Sequence, residues 1–173
     1  NYGVQNDFNS SPMMIDINVS ASGGLVCFGV LNVDSSSPMM TNVIATVTGG
    51  DWNYGVMNAS SSPTMTNVTA SAWIGDNNFA VYNDSSSPTM TNVTASASGG
   101  SSSYGIYNVA SGGPYTILVN NSKISGDTQA IYNSAGVNVF IGASHLSGGV
   151  ITIGGTVKCF AVYDENYDSY TCP

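Results

Sequence analysis

Short apolar runs alternate with small polar residues along most of the chain, and turn-forming groups separate the runs. Val, Ile, Met and Ala recur at every second position within a run, while Ser-Ser-Ser-Pro, Asn and Gly-Gly groups stand between runs. Period-2 alternation between turn signals predicts short β-strands with one buried face. No helical periodicity is present.

The strand pattern repeats about every 25 residues. Gln129 and Phe160 are the expected degenerate successors of the aromatic residues that open the repeats. A fixed period of this length is typical of one supersecondary unit stacked on copies of itself. We therefore predict a single all-β solenoid domain over residues 1–173, with coils starting near residues 2, 28, 54, 79, 104 and 129 and a degenerate C-terminal cap at 148–173. The opening aromatics are Tyr2, Phe28, Tyr54, Phe79 and Tyr104.

Three apolar columns define the predicted core. Period-2 alternation places each opening aromatic on the same buried face as the β-branched residue two positions later. We expect the methionine column to continue through Ile117 and Val139, and the alanine column through Ile124 and Leu146. The columns are Val4, Val30, Val56, Val81, Ile106, Ile131 and Val162; Met14, Met40, Met65 and Met90; and Ala70, Ala72, Ala95 and Ala97.

Two asparagine columns recur at the strand ends, and we predict that both form amide ladders in the core. A buried amide satisfies its donors and acceptors when the coils above and below carry the same group. Asp16 takes the matching place in the first coil of one column, and Asp164 in the last coil of the other. The columns are Asn42, Asn67 and Asn92, and Asn6, Asn32, Asn58, Asn83, Asn108 and Asn133.

Several short segments of the sequence resemble segments of a known protein family. "YGVMN", "YGIYN" and "AIYN" open coils, "NNSKISG" and "GASHLSGG" occupy later coils, and "VKCFAVYDENYDSYTCP" ends the chain. On these phrases, the whole chain resembles the right-handed parallel β-helix repeat proteins of the pectin-lyase-like superfamily, particularly their secreted or surface bacterial members. The resemblance implies a right-handed parallel β-helix. It implies no single activity, because this scaffold hosts lyases, hydrolases, adhesins, phage tailspikes and structural rods.

Two of the three cysteines flank the degenerate last coil. We expect Cys159 and Cys172 to form a disulfide that closes a loop of about 14 residues and contributes about 3 kcal/mol. Such a bridge implies an oxidising compartment, so we expect the protein to be extracellular or on the cell surface. Cys27 lies roughly 24 Å from Cys159, at about 4.8 Å for each of five coil steps. It is expected to be a buried free thiol, with an intermolecular bridge as the alternative.

Charged residues are scarce and mostly acidic. The formal net charge is −8, and the only basic side chains apart from the single histidine are Lys123 and Lys158. Binding to nucleic acid or to anionic membranes is disfavoured, because both depend on lysine and arginine near phosphates. The apolar runs are also far shorter than the roughly 20 residues that cross a bilayer. We therefore expect no nucleic-acid partner and no membrane insertion.

Candidate catalytic and metal-binding groups are few. Asp51 and Asp76 should stand on successive coils about 5 Å apart, which resembles a retaining glycosidase pair. A role as solvated turn residues is the better interpretation, because no long loop is available to form the sides of a substrate cleft. His145 and Ser144 are adjacent on a strand and so point to opposite faces. We predict no catalytic residue, metal or cofactor. A C-terminal acidic cluster lacks the spacing of a calcium loop: Asp164, Glu165 and Asp168.

The repetition itself favours a structural role. Similar coils give a rod with the same surface at every level, whereas an active site needs one place to differ. Because open strand edges recruit other chains, we predict a non-catalytic extracellular β-helix that associates head to tail in a fibre, sheath or surface stalk. The expected end-docking residues are Tyr2 and Val4 at one end and Tyr163, Tyr167 and Tyr170 at the other.

A binding module is the alternative. Trp52 and Trp73 are candidate glycan contacts of an adhesin or a tailspike-like stalk. Ice binding by a stack of Thr66 and Thr91 is a third interpretation, but the threonine pattern does not persist into the later coils.

Overall fold

The computed structural model describes the whole chain from Asn1 to Pro173 and is an all-β solenoid of about six turns. Its strands form three parallel sheets of seven, seven and six strands. Within each sheet, a strand pairs with the strands three places earlier and later in the chain, so successive coils stack on one another. The predicted fold class is confirmed.

The first sheet contains β1 (Tyr2–Asn6), β4 (Val26–Asn32), β7 (Trp52–Ala59), β10 (Asn77–Asp84), β13 (Ser102–Val109), β16 (Gln129–Ser134) and β19 (Val150–Ile153). The second contains β2 (Met13–Ile15), β5 (Met39–Thr41), β8 (Thr64–Thr66), β11 (Thr89–Thr91), β14 (Tyr115–Asn120), β17 (Val137–Gly142) and β20 (Thr156–Phe160). The third contains β3 (Asn18–Ser22), β6 (Ile44–Thr48), β9 (Thr69–Trp73), β12 (Thr94–Ser98), β15 (Lys123–Gly126) and β18 (His145–Ser147).

The first sheet keeps the predicted register through its first six coils. Tyr2 pairs with Phe28, Phe28 with Tyr54, and Tyr54 with Phe79. The β-branched column fills the interior and joins the methionine and alanine columns in one continuous core. Its fully buried members are Val30, Val56, Val81, Ile106 and Ile131.

The opening aromatics do not lie in the core, and that part of the prediction is wrong. Tyr54 is half-buried on the outer face of the sheet, and the next two residues, Gly55 and Val56, are both buried. Tyr54 pairs with Phe79 and Val56 pairs with Val81, while Gly55 is skipped in the pairing. Two successive inward positions interrupt the alternation in both paired strands, without an extra residue in either. The aromatic therefore faces outward while the valine remains in the core.

Only a small side chain fits at the inward position before each valine. A Cβ built on Gly29 would meet the carbonyl oxygen of Gly55 at 2.5 Å, and one on Gly55 would meet that of Ala80 at 2.6 Å. Contacts this short require the backbone to shift. Close stacking of the coils thus explains the glycines at these two positions. Where the column does carry a side chain, at Ala80 and Ala130, it is a single methyl group.

The methionine column continues differently from the prediction. Met90 pairs with Val119 and Val119 pairs with Ile141, so these residues extend the column in place of Ile117 and Val139. The step from Met90 to Val119 is 29 residues, compared with 25 in the preceding step, because β14 begins three residues before the part that pairs with β11 and the connection before β14 is one residue longer. Ile117 and Val139 are nevertheless buried and pair with each other. The alanine column continues through Ile124 and Leu146, as predicted.

The last coil enters the first sheet earlier than predicted. Ile131 pairs with Val150, only 19 residues later, and Asn133 pairs with Thr152. The coil is short because β19 begins directly after the glycine pair that follows β18. The residues expected to extend the aromatic, valine and asparagine columns therefore lie outside this sheet: Phe160, Val162 and Asp164.

One asparagine column forms a ladder inside the core. Asn58 donates its side-chain N–H to the carbonyl oxygen of Asn83 at 2.8 Å, and Asn83 donates to Asn108 at 2.9 Å. The ladder is interrupted at the next step, where Nδ2 of Asn108 and Oδ1 of Asn133 are buried without a hydrogen-bond partner. All four asparagines are at most 1% exposed. We call this column the inner ladder.

The other asparagine column lies outside, so the prediction that Asn42, Asn67 and Asn92 belong to the core is wrong. Each has a φ of 54° or 55° at the corner between the second and third sheets. This corner turns the asparagine outward, and the valine that follows it fills the core. The exposed amides still hydrogen-bond from coil to coil, with Asn67 donating to Asn42 and Asn92 to Asn67 at 3.0 Å.

Candidate functional site

The two ends of the solenoid are the places where the repeated structure stops. At the N-terminal end, β1, β2 and β3 each pair with a strand on one side only. Tyr2, Met13 and Ile15 are 58%, 65% and 48% exposed there. Edges of this kind present unpaired N–H and C=O groups, which can pair with another strand.

The inner ladder begins at this end with Asn6. Asn6 donates its side-chain N–H to Oδ1 of Asn32 at 2.8 Å, and Asn32 donates to Asn58 at 2.9 Å. The side-chain carbonyl oxygens of the next four asparagines each accept from the coil before: Asn32, Asn58, Asn83 and Asn108. By the same geometry, Oδ1 of Asn6 is an acceptor on the open side of the first coil.

Val4 and Tyr2, the expected docking residues at this end, differ in exposure. Val4 is half-buried and packs against the main core, so it belongs to the interior of the first coil. The ring of Tyr2 stacks on Phe28 with centroids 5.2 Å apart, and its side chain is mostly exposed.

At the C-terminal end, two of the three sheets also have a free edge. β19 pairs only with β16, and β20 pairs only with β17. In the third sheet, Tyr163 pairs with His145 of β18 and its carbonyl oxygen accepts from the N–H of Leu146 at 2.8 Å. The tail therefore closes one sheet and leaves the other two open.

At this end, a threonine occupies the position of the inner-ladder column. Thr152 pairs with Asn133 in the register of the column, and its Oγ1 is buried without a hydrogen-bond partner. A hydroxyl both donates and accepts. The two ends of the column thus present complementary groups, a carbonyl acceptor at Asn6 and a hydroxyl donor at Thr152.

A disulfide between Cys159 and Cys172 holds the tail against the C-terminal end, as predicted. Tyr170 and Cys172 are half-buried and pack on the main core. Tyr170 therefore covers the core and is not a free docking group, whereas Tyr163 and Tyr167 are 45% and 79% exposed. Cys27 is a buried free thiol, also as predicted.

The outer face of the first sheet carries stacked aromatic rings that sequence reasoning placed inside. Tyr54 stacks on Phe28 and on Phe79 with ring centroids 5.1 and 5.2 Å apart. Since each ring face contacts a neighbouring ring, mainly the ring edges and hydroxyls reach solvent. Phe79 is only 4% exposed although it lies outside the sheet.

A second aromatic row runs beside the first. Tyr82 stacks on Tyr107, and Tyr107 on Tyr132, with centroids 5.3 and 4.4 Å apart. Burial, with a smaller contribution from neighbouring tyrosines, raises the pKa of Tyr54 and of Tyr107 to about 12. The shared position of the three tyrosines, three residues after each coil opening, was the sequence signal for this row.

The two tryptophans lie in different sheets. Trp52 begins β7 in the first sheet, is 43% exposed, and stacks on Phe79 at a centroid distance of 6.1 Å. Trp73 ends β9 in the third sheet and is half-buried. The structure does not place them on one common face.

The remaining candidate groups are dispersed. Asp51 and Asp76 are both exposed and lie on adjacent coils, where the N–H of Asn77 donates to the backbone carbonyl of Asp51. Asp164 accepts hydrogen bonds from the backbone of Asn166 and Asp168 and so stabilises its own turn. No group of three or more His, Cys, Asp or Glu side chains could hold a metal ion. No helix is long and apolar enough to cross a membrane.

No family model matches the chain, and no curated protein matches its sequence.

Proposed function

We propose that this protein is a non-catalytic structural β-solenoid whose copies join head to tail, as in an extracellular fibre, sheath or surface stalk. The main observation behind the proposal is that the free strand edges at the two ends belong to the same two sheets. The first and second sheets have free edges at both ends, β1 and β2 at one and β19 and β20 at the other. The disulfide between Cys159 and Cys172 supports an extracellular location, because such bridges persist in oxidising compartments.

Strand direction favours head-to-tail docking over a two-fold pairing of like ends. All sheet pairs in the protein are parallel. When β19 of one copy lies beside β1 of the next, the parallel ladder of the first sheet continues, and β20 continues the second sheet beside β2. A contact between two different surfaces does not close on itself and therefore builds an open filament.

The inner ladder supports the same joint. Docking in register would place the Thr152 hydroxyl beside Oδ1 of Asn6 in the neighbouring copy. A hydrogen bond there would satisfy a buried hydroxyl that has no partner within the chain. Tyr163 occupies the edge of the third sheet, so that sheet would contribute side-chain contacts to the joint in place of a backbone ladder.

Electron microscopy beside light scattering tests the proposal on natively purified protein. We expect uniform filaments that grow with concentration. Met13→Lys with Ile15→Lys should disperse them, because lysine on an edge strand opposes pairing with another edge. The matched control is Met39→Lys with Thr41→Lys, one coil further in and in the same columns. Dispersed rods at every concentration, or equal effects of the two variants, would overturn the proposal.

A glycan-binding stalk is the second candidate, favoured by the exposure of Trp52. One face of its ring stacks on Phe79, and 43% of the residue remains accessible. Binding on a glycan array that disappears in Trp52→Ala and survives in Trp73→Ala would support this role. An array without hits would exclude the tested glycans.

A further inference from the structure

A polar groove lies on the outer face of the third sheet near the C-terminal tail. Its volume is about 370 Å³, and its walls include Lys123, His145, Tyr163 and Tyr167. Lys123 and His145 are paired on adjacent strands, whose backbones lie about 4.8 Å apart. Both side chains point away from the core. We call this feature the lysine groove.

The lysine groove differs from the rest of the surface in charge. The protein has a net charge of −8, yet the groove contains one of its two lysines and its only histidine. None of the residues that line it carries a carboxylate. Asn92 and Asn121 add side-chain amides at the corner of the second and third sheets. A cation surrounded by neutral hydrogen-bonding groups favours an anionic ligand.

An unmet hydrogen-bonding group lies in the wall of the same groove. Nδ1 of His145 is shielded from solvent and has no hydrogen-bond partner. Buried polar atoms in folded proteins are nearly always paired, so the unpaired nitrogen shows that hydrogen bonds within the chain do not satisfy the His145 ring. This observation is independent of the charge on Lys123.

Two tyrosines supply an apolar wall. The Tyr167 ring lies 5.3 Å from that of His145, and Tyr167 is 79% exposed. Tyr163 is 45% exposed and is anchored through its backbone beside β18. Exposed rings beside charged and amide groups can contact the ring of a small ligand while the polar groups bind its substituents.

We propose that the lysine groove binds a small ring-bearing ligand through a negatively charged oxygen group, either a carboxylate or a phosphate. Lys123 forms the ion pair with that group, His145 and the asparagines hydrogen-bond the ligand, and Tyr167 contacts its ring. The proposal does not depend on head-to-tail assembly, because the groove is built within one chain.

Amide and aromatic chemical shifts of the full-length protein, followed during titration at constant ionic strength, test the proposal. The probes are glucose 6-phosphate, glucuronate, inorganic phosphate and neutral glucose. We expect saturable shifts around Lys123 and His145 with one or both charged sugars, a weaker response to phosphate alone, and none to glucose. The two charged sugars distinguish a phosphate site from a carboxylate site.

Lysine variants provide the control. Lys123→Ala should weaken binding of the responding sugar by about tenfold, because a charge-assisted hydrogen bond is lost. Lys158→Ala should leave binding within about twofold. Lys158 lies outside this groove, over the ring of Phe140. Both lysines are exposed, so both variants should fold. Absence of saturable shifts, an equal response to glucose, or equal losses in the two variants would overturn the proposal.

Discussion

The two ends of the solenoid are made from the same coil but finish differently. At the N-terminal end, β1, β2 and β3 have the full repeat geometry and no covering segment within the chain. At the C-terminal end, the tail departs from the repeat, bonds to β18 through Tyr163, and is held by a disulfide. Regular repetition creates edges that another strand can extend, whereas a departure from repetition is needed to close one.

Removing the disulfide should have the largest effect on stability and should make the two ends more alike. Cys159→Ser with Cys172→Ser releases a loop of 13 residues, and we expect a loss of about 3 kcal/mol in the free energy of unfolding. Denaturant unfolding measures it. Cys27→Ser is the control for loss of a thiol. An unchanged unfolding free energy would mean that the tail packs equally well without its covalent link.

The sequence predicted the period and the buried β-branched column from Val30 to Ile131, because these follow from strict spacing. It did not predict the break in alternation at Gly55, since a Tyr-Gly-Val segment also fits an uninterrupted strand with both large residues inside. Nor could it tell which side of a tight corner faces the core at Asn67 and Val68.

The features of the two ends were also only partly predictable from the sequence. The terminal disulfide followed from the position of the cysteines, but the complementary groups at Asn6 and Thr152 depended on the shortened last coil. That shift in register left no periodic signal. Lys123 and His145 directly precede Ile124 and Leu146, so their pairing follows from the predicted alanine column. The position of Tyr163 and Tyr167 beside them depends on the irregular tail, which the repeat could not reveal.

Asparagine replacements should separate the interior of the inner ladder from its open end. Asn83→Ala leaves the amide N–H of Asn58 and the carbonyl oxygen of Asn108 without partners, and we expect a loss of about 2 kcal/mol. Asn6→Ala should cost less than about 1 kcal/mol in the dispersed protein, because Asn6 has a ladder partner on one side only. It should, however, weaken assembly.

Thermal unfolding and light scattering on both asparagine variants measure these effects. Equal destabilisation by the two replacements, together with unaltered assembly of Asn6→Ala, would contradict the assignment of Asn6 to an open end.

Alkaline pH should weaken the repeated coils by a smaller amount. Tyr54 has a pKa raised to about 12, mainly by burial. Above about pH 10 the unfolded chain loses this proton first, so stability is complete below about pH 10 and decreases as the pH rises to about 12. We expect a loss of about 1 kcal/mol in the free energy of unfolding. This is less than the full pKa shift would give, because the ring is partly exposed.

A pH series of unfolding midpoints checks this effect, with Tyr54→Phe as the comparison. The phenylalanine variant should show a shallower decrease between about pH 10 and pH 12. Identical slopes would show that the aromatic face is not the source of alkaline sensitivity.

Hydrogen exchange of the first-coil amides tests the central claim most directly. The comparison is between wild-type protein under assembling conditions and the dispersed variant with Met13→Lys and Ile15→Lys. We predict that amides in β1 and β2 exchange rapidly in the dispersed variant and become protected in the wild-type assembly, together with those of β19 and β20, while β10 is protected in both. Rapid exchange in β1 and β2 under both conditions would contradict head-to-tail joining through these strands.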